Sequence, residues 1–337
     1  MIKYFFAIVV FAVCFLAICQ TNSLPAEELG RVKWMTIEEA IEKNKQQPKA
    51  ILIDVYTDWC GWCKHMMKTT FSNPQLASYI NSYFYPVRFN AETKDTIVYL
   101  GEKYVSSGPD PRAPHQLAIK LLNGRMSYPS IVFSNDNFQF TLLAAGYMDV
   151  QKIEPLLVFT VEKVYQTTDA ETFKEYFNKS FYNIAHEKGE LLQSYTIEKA
   201  VELNKSTPKK TIVYLHADWC NSCKVMYKTT FNDSLNKAIL NKDFYFVEFN
   251  ITYSDTVRFY NDVFPPNKGN AHPFAFALSN NTINLPSVII FGEEMTIIAN
   301  IPRYFDPKIF NVILNYYKRD AYLHSSFEEY RKKYMGQ

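Results

Sequence analysis

The sequence predicts an α/β fold present in two consecutive copies, and three observations point to it. The tetrapeptide Cys60-Gly61-Trp62-Cys63 returns 160 positions later as Cys220-Asn221-Ser222-Cys223, each time after Asp-Trp and before Lys. The flanking text returns at the same offset: Tyr56-Thr57-Asp58-Trp59 matches His216-Ala217-Asp218-Trp219, and Lys68-Thr69-Thr70-Phe71 matches Lys228-Thr229-Thr230-Phe231. Within each copy, helical periods and short strand-like apolar runs alternate, as they do when helices pack on a sheet.

The repeat runs well beyond the cysteines. Trp34 to Ala40 aligns with Ser194 to Ala200, and Phe84 to Asn90 with Phe244 to Asn250. After that the offset shortens to 157, where His115 meets His272, Tyr128-Pro129-Ser130 meets Leu285-Pro286-Ser287, and Tyr147-Met148-Asp149 meets Tyr304-Phe305-Asp306. Phe173 and Tyr176 correspond to Phe327 and Tyr330, which adds a further helix to each unit.

Within the first unit, Thr36 and Glu39 form a capping box that opens a helix ending before Pro48. Ala50 to Tyr56 is a β-branched apolar run, a strand buried on both faces. Cys60 starts a helix that Ser72-Asn73-Pro74 interrupts, Tyr83 to Phe89 alternates as a strand, and Ala113 to Leu122 is helical. Ser130 to Ser134 and Phe138 to Ala144 pair through a turn at Asn135-Asp136-Asn137, and Asp149 caps a last helix. Val32 to Met35 is a candidate short first strand. Pro86 inside a strand marks an edge or a bulge.

A chain of 337 residues, 47% of them hydrophobic with 24 Tyr and 26 Phe, can fill two cores. With 36 Lys and Arg against 34 Asp and Glu, charge gives no reason to expect nucleic acid or an anionic membrane as partner. Lys3 followed by the apolar run Tyr4 to Ile18 has the charged start and short apolar centre of an export signal. Cleavage after Thr21 or Ser23 gives a soluble exported protein. Leu16-Ala17-Ile18-Cys19 approaches a lipoprotein box, which would anchor the chain through Cys19. Membrane attachment is therefore expected only through this segment. Its removal takes Cys14 and Cys19 and leaves four cysteines, all in the two Cys-x-x-Cys pairs. None remains for a structural disulfide, so the pairs are kept for reactivity.

A cysteine at a strand-to-helix junction points its sulfur at unpaired N–H groups and the positive end of the helix dipole, which favours thiolate. A second cysteine one turn further in can resolve the mixed disulfide that the first one forms. Zinc held by four thiolates is the competing chemistry, but each pair sits in its own unit, far from the other in sequence.

Each unit resembles a thioredoxin-fold domain, most closely the reducing C-terminal domain of the bacterial transmembrane thiol:disulfide interchange protein. The motifs that carry this are Asp54 six residues before Cys60, Asp-Trp-Cys-x-x-Cys-Lys, Thr-Phe on the same helix, and Tyr-Pro-Ser entering the following strand. The resemblance implies two tandem thioredoxin-like domains, each a mixed central sheet flanked by helices; with the export signal placed over 1–23, domain 1 is expected over 25–188 and domain 2 over 189–337. It makes Cys60 and Cys220 nucleophiles, Cys63 and Cys223 resolving thiols, and Asp54 the proton acceptor for Cys63. Pro129 and Pro286 become cis-prolines facing the dithiols. Trp59 and Trp219 shape the substrate surface.

The second unit departs from this pattern, with Tyr214 where the first has Asp54, and His216 is a candidate helper near Cys220. His115 and His272 are caps or core residues before they are catalysts. Lys64 and Lys224 are solvated helix residues. Trp62 stands where thioredoxin has proline. The implied activity is thiol–disulfide exchange in the bacterial periplasm or cell envelope, by reduction or isomerisation of protein disulfides. No cofactor is implied; a redox partner supplies electrons. The alternative is a substrate-binding or chaperone-like module with one or both dithiols idle.

Overall fold

The computed structural model describes residues 31–183 and 190–336. The export segment, Cys14, Cys19 and the domain limits near 24 and 188 lie outside the described residues. Among those described, no helix is long and apolar enough to cross a membrane.

The first half runs α1 (Ile37–Gln46), β1 (Ala50–Tyr56), α2 (Gly61–Thr69), α3 (Pro74–Tyr83), β2 (Phe84–Asn90), β3 (Ile97–Tyr99), β4 (Glu102–Tyr104), α4 (Gln116–Leu121), β5 (Ser130–Ser134), β6 (Thr141–Ala145), α5 (Val150–Val161) and α6 (Ala170–Phe181). The second half repeats this as α7 (Ile197–Asn204), β7 (Lys210–His216), α8 (Asn221–Val225), α9 (Ser234–Asp243), β8 (Phe244–Asn250), β9 (Val257–Phe259), β10 (Asp262–Phe264), α10 (Pro273–Leu278), β11 (Ser287–Phe291), β12 (Ile297–Ile301), α11 (Pro307–Lys318) and α12 (Phe327–Met335). Helix α8 passes into a π-helical turn over Met226–Phe231.

Each half builds a four-stranded mixed sheet, ordered β2-β1-β5-β6 in the first and β8-β7-β11-β12 in the second. The central strand β1 runs parallel to β2 and antiparallel to β5. Its side chains alternate between two packed faces. Ile51, Ile53 and Val55 join Ile37, Ala40 and Leu117 on one side. Leu52 joins Met66, Ile80 and Leu157 on the other. Residue 54 therefore lies on the face covered by α2.

Local chemistry sets the element ends. Thr36 and Glu39 close the capping box at α1, Asn73 caps α3 with Pro74 at its first position, and Asp149 caps α5. Pro86 lies in β2, an edge strand, where its missing N–H costs no ladder bond and its carbonyl accepts from Met35. The anticipated first strand is reduced to one bridge, Met35 to Val87.

Two expectations need correction, and one hairpin was not anticipated. The helix expected from Ala113 starts only at Gln116, because Pro114 drives the preceding residue out of the α region and His115 serves as the cap. The strand expected from Phe138 starts at Thr141, since Phe138 has a positive φ of 61° and Asn135 holds a wider turn by accepting from the Phe140 N–H. The hairpin β3–β4 escapes a period-based reading because each strand has only three residues. Its tight turn places Leu100 and Gly101 at φ 50° and 85°, the left-handed pair that a two-residue hairpin requires.

Helix α6 belongs to the first half by repeat, yet it packs on the second. Phe173 and Phe177 share a core with Phe231 and Tyr304, and Thr167 Oγ1 donates to the Tyr304 carbonyl at 2.6 Å.

Candidate functional site: two dithiols at strand-to-helix junctions

Strand β1 ends at Tyr56, and a short turn delivers Cys60 as the cap residue of α2 with extended backbone. Cys60 is bonded to Cys63, and the Cys63 N–H donates to Cys60 Sγ at 3.0 Å. The second half repeats the arrangement: Cys220 caps α8, is bonded to Cys223, and accepts from the Cys223 N–H at 3.2 Å. Each pair is closed within its own half. The peptide bonds Tyr128–Pro129 and Leu285–Pro286 are both cis, and both prolines are buried. The ring of Tyr128 meets Trp59 edge-on at 6.0 Å, so the proline loop lies beside the first dithiol.

The surface around the first pair is open and aromatic. Trp59 and Trp62 are 56% and 62% exposed. Trp59 Nε1 donates to Glu92 at 2.9 Å, while Trp62 packs against His65 and Tyr147 at 5.6 and 5.5 Å. Trp219 keeps the exposure of Trp59, at 59%. Lys64 and Lys224 are exposed.

On the face of β1 that α2 covers, Asp54 is buried, and burial pushes its carboxyl up to about 6 against the opposing charge of Arg88. Arg88 is its parallel-strand neighbour on β2, with Nε 3.5 Å from Asp54 Oδ2, and its guanidinium lies over the Tyr56 ring at 4.1 Å. Sequence reasoning did not find Arg88. The signal was there, because Arg88 becomes Glu248 in the second copy where Asp54 becomes Tyr214.

Tyr214 is fully buried, and its hydroxyl donates to the Cys223 carbonyl at 2.9 Å. Burial holds its phenol well above the usual tyrosine range. His216 Nε2 lies 3.3 Å from Glu248 Oε1, and burial pushes the imidazole down. His115 and His272 are fully buried caps: each Nδ1 accepts from the helix, at Leu117 and Phe274, and each Nε2 donates to a loop carbonyl, at Asp95 and Asp255.

The second pair has a neighbour from the first half that the sequence did not reveal. Glu162, which follows α5, accepts from the Asn221 and Ser222 N–H groups at 3.1 and 2.7 Å, and its Oε2 lies 3.6 Å from Cys220 Sγ. The residue is partly exposed but its carboxyl group is enclosed.

Both halves match known thioredoxin-type families. Residues 19–175 match the family model Thioredox_DsbH, described as a protein of unknown function, DUF255, and residues 191–276 match one described as thioredoxin-like. A stretch of 45 residues is 40% identical to the thiol:disulfide interchange protein DsbD of Photorhabdus laumondii subsp. laumondii. That stretch is 13% of this chain and 8% of the relative's length, so the chain spans a small part of that protein.

Among solved structures, DsbH oxidoreductase is 20% identical, covering 39% of this chain and 86% of that one with a TM-score of 0.26. A thioredoxin-fold protein from Helicobacter pylori is 19% identical, covering 44% and 92%, TM-score 0.31. The oxidised DsbD C-terminal domain of Neisseria meningitidis is 19% identical, covering 34% and 84%, TM-score 0.25. The chain thus has an α/β fold with thioredoxin-like domains in both halves, each carrying one Cys-x-x-Cys pair at disulfide distance.

Proposed function

We propose that this protein is a thiol–disulfide oxidoreductase that reduces or isomerises protein disulfides in the cell envelope, with the first dithiol as its main site. The observation that carries the reading is the arrangement at that site: Cys60 at a helix start beside exposed tryptophans, Cys63 one turn in, and Asp54 buried on the face of β1 that this helix covers.

The chemistry follows from that order. The Cys60 thiolate attacks one sulfur of a substrate disulfide, and the other substrate sulfur leaves as thiolate. Cys63 gives its proton to Asp54 and attacks Cys60 Sγ. The remaining substrate sulfur then leaves as thiolate and takes up the proton. Two electrons have passed to the substrate, and Cys60–Cys63 is a disulfide. A redox partner returns two electrons by the reverse exchange. With its carboxyl raised to about 6, Asp54 is largely ionised at neutral pH yet basic enough to accept a proton. Trp59 with Tyr128 and Pro129 supplies the substrate-holding surface, and Trp219 with Pro286 its counterpart.

Reduction of insulin disulfides by the purified full chain with a dithiol donor tests the activity. Turnover supports the reading, whereas a protein without turnover is a binding module. Export is proposed from Lys3 and the apolar run to Ile18. Mass spectrometry of the native N-terminus tests it: a start between Gln20 and Leu24, or a lipidated Cys19, supports export, and an intact Met1 on a cytosolic protein contradicts it.

The binding-module reading keeps support at the second site, where Tyr214 replaces the buried acid and Glu162 stands over the dithiol.

A further inference from the structure

The two dithiols are built alike and covered differently. In the first, Gly61, Trp62 and His65 of α2 are all exposed. Their counterparts around the second are Asn221, partly buried, and Ser222 and Val225, both 0% exposed. The cover is the corner between α5 and α6. Its Glu162 carboxylate sits on the Asn221 and Ser222 N–H groups and touches Cys220 Sγ. Helix α6 continues the contact: Lys228 Nζ donates to the Ser180 carbonyl at 2.8 Å, and Phe173 meets Tyr304 edge-on at 5.3 Å. By repeat, the residue equivalent to Glu162 in the second half is Arg319, which caps α11. The carboxylate is thus a feature of one copy.

While the pair is oxidised, its sulfurs carry no charge. Once it is reduced, the nucleophilic form of Cys220 is a thiolate lying against Glu162, and two N–H groups beside it already serve the carboxylate. A like charge at this range disfavours the ionised thiol. The groups around Glu162 are Lys224 on α8, whose charge favours the ionised carboxyl, and the phenols of Tyr79 and Tyr214, which burial pushes up and the Glu162 charge pushes further. Burial pushes the Glu162 carboxyl up against the hydrogen bonds from Ser222 and Asn221.

We propose that Glu162 determines the reactivity of the second dithiol: with the α5–α6 corner it closes Cys220–Cys223 to disulfides held in protein chains and disfavours the Cys220 thiolate, so this site exchanges only when the corner lifts. The inference rests on the reading that these dithiols take part in exchange.

The experiment compares two full-length single-site proteins, one with Cys220 and Cys223 replaced by Ala, the other with Cys60 and Cys63 replaced by Ala. Each is fully reduced, and alkylation by iodoacetamide is followed from pH 5 to 10; the thiolate sulfur displaces iodide and forms the S–C bond, so the rate reports the thiolate. Cys220 should react about tenfold or more slowly than Cys60 at pH 7, with a higher pH midpoint, since each unit of pKa is about tenfold in thiolate. Glu162→Gln keeps the shape and removes the charge; it should speed Cys220 about tenfold or more and lower its midpoint, and leave Cys60 unchanged. Cys220 reacting as fast as Cys60 at pH 7 overturns the proposal without any variant, and so does a Glu162→Gln midpoint that does not move. A chain that alkylates as described but reduces no insulin refutes the exchange reading and leaves the role of Glu162 standing.

Discussion

At the first dithiol, β1 places Asp54 under the helix and β2 places Arg88 beside it; at the second, the same register positions on β7 and β8 hold Tyr214 and Glu248. The first pair is bordered by the exposed Trp59 and Trp62, and the second lies against the α5–α6 corner through Ser222 and Glu162. The scaffold is nearly unchanged, with the cysteine cap, the sheet order and the cis peptide present in both halves. What differs is the set of side chains that handle charge. The comparison teaches that a duplicated scaffold can leave the border of one dithiol exposed and cover that of its twin, by changing a handful of positions together.

The comparison is easiest to break at the order of attack. Replacing Cys63 by Ala should accumulate mixed disulfides through Cys60, and replacing Cys60 should accumulate almost none; non-reducing gels of alkylated samples decide. Equal trapping by both variants contradicts the outer and inner roles of the two thiols.

The next effect is kinetic. If Asp54 is the proton acceptor proposed above, Asp54→Asn should slow resolution of the mixed disulfide by about 10²- to 10⁴-fold, while attack by Cys60 changes less. Rapid-mixing kinetics with a single-disulfide peptide separates the two steps. Equal slowing of both steps would make Asp54 a structural residue.

The same variant sharpens the comparison in stability. Because the folded pKa of Asp54 lies above its ordinary value, the folded state binds this proton more tightly than the unfolded chain. Its stabilising contribution is present at low pH and is lost as pH rises through about 6. The shift to about 6 corresponds to about 2–3 kcal/mol given up at pH 8. Asp54→Asn should therefore unfold at higher denaturant concentration than the parent at pH 8, and nearly with it at pH 4. Equal stability at both pH values would show that Arg88 already neutralises the cost.

Much of this arrangement was legible in the sequence, because local signals and the fold agree. The capping box at Thr36, the buried run Ala50 to Tyr56, the Asn73-Pro74 break and the Asp149 cap each lie where the chain alone puts them. The duplication located both dithiols and both proline loops. Arg88 and Glu162 were missed for different reasons. Arg88 lies on an adjacent strand 34 positions from Asp54, and only the paired exchange of Asp54 with Tyr214 and Arg88 with Glu248 marks the contact. Glu162 reaches the second dithiol through packing between the halves, which no period or cap encodes. A faint trace remains in α8: Ser222 and Val225 stand where the open helix has Trp62 and His65, small and apolar residues on a face that should be wet.

The most direct test of the unequal pair is turnover by each dithiol alone in the full chain, on one protein disulfide substrate, across pH 5 to 9. The first site should be faster by about 10²-fold or more near neutral pH, as a site with a general base and an open face should be against one with neither. Its rate should rise through about pH 6, where Asp54 ionises. A second site that matches or exceeds the first near pH 7 would contradict both the role given to Asp54 and the cover given to Glu162.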